Sequence, residues 1–185
     1  MKLSHYILGT MSGTSLDGLD LALCHFTQTD GLWNYRVIDA ATFPYESDLR
    51  KRLAKAIELS AYEFVKLDTD LARSMAQTIN AFLSRQEILP DFIASHGHTT
   101  FHQPAAGITS QVGSGAILAA HTGITSVCDF RTTDVALGGQ GAPLVPIGDE
   151  LLFGQYDACL NLGGFSNISD RKDGRRIAFD ISPCN

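Results

Sequence analysis

The chain has 185 residues, 44% of them apolar and 18% charged, with a formal net charge of −6. That length allows one domain, or one and the start of another, and the apolar share excludes intrinsic disorder. The acidic balance argues against nucleic acid or an anionic membrane as the main partner, and no apolar run approaches the roughly 20 residues of a membrane span.

Three strands are predicted first, over 5–9, 19–27 and 33–43, joined by turns into an antiparallel meander that Pro44 ends. Leu49, Leu53 and Ile57 then recur at helical spacing. Ser60-Ala61-Tyr62-Glu63 fits a capping box. It opens a second helix whose stripe runs through Phe64, Leu67, Leu71, Met75, Ile79 and Phe82, with Leu89-Pro90 as its stop. A short buried strand over 92–95 leads into His96-Gly97-His98. A small-residue helix over 114–121, a strand over 124–128, a turn or two of helix over 132–137 and a helix over 147–153 follow. Strands return over 157–162, 165–169 and 176–181, with Asp173-Gly174 as a hairpin turn. This second meander resembles the first and suggests a related second domain.

Glycine and positive charge are unevenly spread. Thirteen of the 17 glycines fall between Gly97 and Gly174, and Arg131 is the only basic residue between Arg85 and Arg171. Glycine-rich loops poor in lysine approach a ligand by backbone. Arg131 is then a candidate to hold something anionic or polar; the alternative is an ion pair with Asp129 or Asp134. The four cysteines (Cys24, Cys128, Cys159, Cys184) are widely separated with no C-x-x-C pair, which suits a reducing, cytoplasmic compartment. The glycine-rich turn follows Met1-Lys2 so closely that no signal peptide is expected.

Five segments carry candidate chemistry. In Gly9-Thr10-Met11-Ser12-Gly13-Thr14-Ser15-Leu16-Asp17-Gly18-Leu19-Asp20, turn amides and hydroxyls suit phosphate oxygens, and Asp17 or Asp20 suits a divalent cation. The segment is neither a P-loop nor a Rossmann turn. Ser95-His96-Gly97-His98-Thr99 fits a polar pocket wall better than a metal site. Gln111 to Gly115, Asp129 to Asp134 and Gly138 to Pro143 read as polar loops that, with one arginine, suit a polyhydroxylated ligand bearing a carboxylate. Asn161-Leu162-Gly163-Gly164-Phe165-Ser166-Asn167 is a second glycine turn, and so a second candidate phosphate clamp. Asp180 ends an apolar strand, where a partly desolvated carboxylate serves as a general base or, equally, as a turn or cap residue.

Taken in order, G-T-M-S-G-T-S-L-D-G-L-D, S-H-G-H-T, D-F-R-T-T-D-V-A-L-G-G-Q-G-A-P-L-V-P, N-L-G-G-F-S-N-I and F-D resemble the anhydro-N-acetylmuramic acid kinase family, from Leu8 to Asn185. The resemblance implies an α/β fold of the actin-like ATPase (ribonuclease H-like) class. That is a mixed five-stranded sheet with flanking helices over 1–154, then the first strands of a second related domain over 155–185. It implies an ATP- and Mg²⁺-dependent kinase that phosphorylates 1,6-anhydro-N-acetylmuramic acid and opens its anhydro ring with water, in peptidoglycan recycling. By position, Gly13, Thr14, Ser15, Leu16, Asp17, Gly18, Leu19, Asp20, Gly163 and Gly164 would bind ATP. His96, His98, Thr99 and Arg131 would bind the sugar, and Asp180 would activate the water. The partners implied are the amino sugar, ATP and a second copy of the chain, with no nucleic acid and no membrane. The family's F-D-T-G-P-G-N becomes Phe179-Asp180-Ile181-Ser182-Pro183-Cys184-Asn185, keeping Asp, Pro and Asn but neither glycine. An N-acetylhexosamine kinase of the same superfamily, or a non-catalytic sugar- or nucleotide-binding module, would use the same loops.

Overall fold

A computed structural model describes residues 3–184. β1 (Leu3–Ser12), β2 (Gly18–Thr29) and β3 (Leu32–Pro44) form the expected antiparallel meander, each longer than its apolar core predicts. β4 (Phe92–Gln103) then pairs parallel with β1, and β6 (Ser126–Cys128) pairs parallel with β4. These five strands, in the order β3-β2-β1-β4-β6, are the mixed sheet expected of the fold. A sixth, β5 (Ile108–Val112), pairs antiparallel with the distal half of β4. It places Gln111 and Val112 in a ladder where a polar loop was expected. Its sequence, Ile-Thr-Ser-Gln-Val, carries too little apolar alternation to announce a strand.

One face of this sheet is covered by α2 (Ala61–Leu83). Ser60 caps α2 through the predicted box: its Oγ accepts from the Glu63 N–H, and the Glu63 carboxylate accepts from the Ser60 N–H. Leu67, Leu71, Met75 and Ile79 of α2 are fully buried against Leu8, Leu21 and Leu23 of the sheet. Burial of such side chains stabilises by about 1.5–3 kcal/mol each. α2 ends at Leu83, six residues before Leu89-Pro90, in a turn closed by Ser84 and Gln86 N–H bonds to preceding carbonyls. The preceding helix, α1 (Ser47–Ala54), buries Leu49 and Leu53. It breaks at Lys55 into a 3₁₀ turn that puts Ala56 inside, so Ile57 points to solvent rather than continuing the stripe.

α3 (Gly115–Thr122) packs beside α2, and α4 (Thr132–Ala136) and α5 (Pro146–Leu152) follow. β7 (Ala158–Leu162), β8 (Phe165–Lys172) and β9 (Arg175–Pro183) form a separate antiparallel sheet. α5 links the two. It lies against both β3 and β9. Phe153, just after it, meets the Tyr35 ring edge-on at 5.8 Å. Asp149 is buried and accepts from Ser169 Oγ at 2.6 Å. Glu150 receives Arg171 at 2.6 Å and Arg176 at 3.0 Å. The Arg176 side chain, 4% exposed, also donates to Ser169 Oγ and to the Tyr156 carbonyl. The opposite face of the β7–β9 sheet is open: Leu160, Leu162, Ile177 and Phe179 are between 45% and 71% exposed. Among the described residues no helix is long and apolar enough to cross a membrane.

Candidate functional site

The first glycine loop joins β1 to β2. Ser12 closes β1, and Gly13 to Asp17 make the turn, with the Leu16 N–H donating to the Gly13 carbonyl at 3.2 Å. Leu16 takes a positive φ of 56°, an uncommon conformation for a leucine. Thr14, Ser15 and Asp17 are exposed on the turn. The Ser15 hydroxyl donates to Asp17 Oδ1 at 2.7 Å, and that bond holds the Asp17 carboxyl below its ordinary 3.8. Asp20 is also exposed and accepts from the Thr42 hydroxyl. Gly18 and Leu19 already belong to β2: Leu19 is buried in the core, and Gly18 is pressed against β3.

β4 carries the histidines, and they face different ways. His98 is 5% exposed, and its Nδ1 lies 3.0 Å from Ser12 Oγ. It therefore ties the end of β1 to β4, and burial pushes its pKa below the ordinary 6.5. Thr10 repeats the link one pair earlier, donating to Ser95 Oγ at 3.0 Å. Thr99 is half-buried in β4 opposite Gln111. His96 points elsewhere, into a polar pocket of about 320 Å³.

That pocket is lined by hydroxyls, amides and carboxylates: Ser95, Ser110 and Gln111 from the strands, Ser114 at the start of α3, Asp129 and Thr132 near α4. Asp68 of α2 completes it and accepts from the Gly113 N–H at 2.7 Å. Nothing in the chemistry-bearing segments pointed to Asp68; an acidic residue lodged between Leu67 and Leu71 of a buried stripe was the available signal. Gln111 Oε1 is buried with no partner among the described residues.

Arg131 precedes α4 and reaches His96. Its Nη2 donates to His96 Nε2 at 2.9 Å and its Nη1 to the Gly141 carbonyl at 2.6 Å. Neither Asp129 nor Asp134 pairs with it. Asp129 accepts from Thr132, and Asp134 accepts from the Gly141 N–H at 2.6 Å. The Gly138–Gly141 loop folds tightly over Asp134: a Cβ at Gly139 would fall inside its carboxylate.

Asp180 lies within β9 rather than at its end, and it is exposed. The expected burial is absent: no described residue covers its side chain. It caps no helix. Its charge reaches Arg131 and His102, opposing the burial that lowers both. The run after it closes on the second glycine turn: the Cys184 N–H donates to the Gly164 carbonyl at 3.0 Å, and Ser182 receives Ser166 Oγ. A Cβ at Gly163 would make only ordinary contacts, 3.7 Å from the Phe165 carbonyl oxygen and 3.8 Å from Asn161 Nδ2. Asn185 lies outside the described residues. Among the described residues no three His, Cys, Asp or Glu side chains converge as a metal site.

Residues 5–185 match the family model described as anhydro-N-acetylmuramic acid kinase. The chain belongs to this family. It is 41% identical to the anhydro-N-acetylmuramic acid kinase of Haemophilus influenzae over 97% of its own length and 49% of that relative. The Pseudomonas putida kinase of the same name is 42% identical over 96% of the chain and 50% of the relative. The one from Paramagnetospirillum magneticum is 43% identical, over 96% and 51%. The chain thus spans about half the length of the curated relatives it matches. Membership agrees with the mixed sheet and flanking helices of the expected actin-like ATPase fold.

Proposed function

We propose that the chain supplies the N-terminal part of an ATP-dependent kinase for 1,6-anhydro-N-acetylmuramic acid, yielding N-acetylmuramic acid 6-phosphate in peptidoglycan recycling. Family membership supports the reaction class. The observation that carries the assignment of roles is the setting of Arg131, whose guanidinium is held by His96 and the Gly141 carbonyl and by no carboxylate among the described residues.

In this reading residues 1–154 form one actin-like domain, and 155–185 begin a second. ATP phosphates lie against the turn amides of Gly13 to Asp17, with Gly163-Gly164 facing them from the other sheet. Asp17 and Asp20 are exposed carboxylates beside that turn, a hard-oxygen donor set that fits Mg²⁺. When bound, Mg²⁺ would neutralise phosphate charge. The sugar occupies the polar pocket beside His96. Arg131, paired with no carboxylate among the described residues, is the cation that answers the sugar's own carboxylate. His98 and Thr99 contribute through β4, His98 by fixing Ser12.

Asp180 takes a proton from water as the water oxygen bonds to the anomeric carbon. The bond from that carbon to O6 breaks, and O6 attacks the γ-phosphorus as ADP leaves. Positioning and charge neutralisation, rather than covalent catalysis, carry such a transfer. The enzyme works in the cytoplasm as a homodimer.

The test is sugar-dependent ADP release by the protein expressed from its complete reading frame. We expect ADP with 1,6-anhydro-N-acetylmuramic acid, loss of at least about a hundredfold in turnover in Asp180→Asn, and little change in ATP affinity. ADP release with N-acetylglucosamine instead would reassign the substrate. Full turnover in Asp180→Asn would remove Asp180 from the chemistry.

A further inference from the structure

We infer that His96 is the positioning residue of Arg131: a neutral acceptor that fixes the guanidinium, rather than a group that touches the sugar. The chemistry of the contact is one-directional. A guanidinium N–H can only donate, so His96 Nε2, 2.9 Å from Arg131 Nη2, must hold a lone pair. The ring proton then sits on Nδ1, which points at the Gly97 carbonyl 3.3 Å away. A second acceptor on another element completes the clamp. The Gly141 carbonyl takes Arg131 Nη1 at 2.6 Å, and Asp134 holds the Gly141 N–H at 2.6 Å. Two nitrogens of the guanidinium are thereby pinned from two directions, and its plane is set.

Both acceptors are uncharged. A carboxylate at position 96 would hold Arg131 as firmly but would cancel its charge. A neutral imidazole leaves that charge for a ligand, and among the described residues Arg131 enters no ion pair. The Nε of Arg131 is buried without a partner among the described residues.

The arrangement has an acid limit. Burial and the Arg131 charge both hold the His96 pKa below the ordinary 6.5. Its surroundings are Arg131, His98 on its own strand, Asp68 from α2, and Cys128 and Asp129 before α4; Asp180 acts on Arg131 from β9. None is a carboxylate in ion-pair contact with His96. Protonation would convert the acceptor into a cation 2.9 Å from another cation, and the guanidinium would lose one of its two anchors.

This inference rests on Arg131 contacting the sugar, so its test separates the two. Two-bond ¹⁵N correlation spectra of the histidines in the 185-residue chain read the tautomer without any need for turnover. We expect the Nδ1–H form for His96, and in Arg131→Ala a shift towards mixed tautomers with titration at higher pH. Calorimetry with 1,6-anhydro-N-acetylmuramic acid supplies the second reading. We expect His96→Leu to weaken sugar binding about tenfold with ATP affinity unchanged. His96→Gln, whose Oε1 can still accept, should restore it and remove the loss that wild type shows as pH falls below the ordinary histidine value. An Nε2–H tautomer, or spectra that Arg131→Ala leaves unmoved, overturns the proposal. So does a His96→Gln as weak as His96→Leu. An Arg131→Ala protein that shows the expected tautomer shift but binds sugar normally would overturn the sugar role of Arg131 and leave the contact standing.

Discussion

A methyl group at Gly18 would sit 2.3 Å from the Phe43 carbonyl oxygen and 2.8 Å from its carbon, both backbone atoms that cannot swing aside. Among the glycines of this segment, Gly18 is therefore required by strand packing whether or not a ligand also approaches it. Gly18→Ala must push β3 away from β2, and overpacking of this kind costs about 1–3 kcal/mol. We expect a fall of a few degrees in the thermal midpoint with nucleotide affinity nearly kept, measured by calorimetric melting and ATP titration. A large loss of ATP affinity at unchanged stability would return Gly18 to the phosphate site. Side by side, Gly13 and Gly18 look alike in sequence, since a glycine's purpose depends on what stands opposite it. Arg131 differs: its isolation in a long stretch without lysine made it a candidate from sequence alone, and it forms no ion pair among the described residues. The burial of His98 was not legible, because a histidine beside a glycine in a polar run reads as a pocket residue whichever way its ring turns.

At the scale of elements, the strands of the first meander and the capped start of α2 were legible, whereas the far half of β4 and the whole of β5 were not. β5 exists because β4 runs on past His98 and offers a partner. That is a tertiary cause, and five residues of Ile-Thr-Ser-Gln-Val do not record it. α5 shows the same limit: its pattern predicted a helix but not its attachment to β9. The attachment is ionic. Arg176 first, then Arg171, hold the Glu150 carboxyl below its ordinary 4.5. A carboxyl whose pKa is depressed by folding stabilises the fold above its unfolded pKa, and that contribution fades as pH falls through the folded value. We expect the melting temperature of the wild-type chain to drop below about pH 4.5 more steeply than that of Glu150→Gln, which starts lower and lacks this component. Parallel curves for the two proteins would show that the α5 link adds nothing to stability.

For the whole molecule, two sheets meet through one short helix, and each brings part of the candidate site: Gly13 to Asp20 and Arg131 from one side, Gly163-Gly164 and Asp180 from the other. The order of motifs along the chain was enough to place the family. It was not enough to reveal the bond at the centre of the first sheet, where Ser12 Oγ and His98 Nδ1 lie 3.0 Å apart, both buried. Ser12 leads into the turn proposed for ATP, and His98 continues the strand that carries His96 and Thr99 past the polar pocket proposed for the sugar. We expect a shift at either end to be felt at the other through this bond. Linkage then imposes a symmetry: by whatever factor sugar tightens ATP, ATP must tighten sugar. Ser12→Ala, which removes the bond and touches neither ligand, should bring that shared factor nearer to one while leaving each affinity for the free protein close to its original value. Titrations of each ligand with and without the other would measure it from both directions. A factor unchanged by Ser12→Ala would mean that the two ligands communicate by another route.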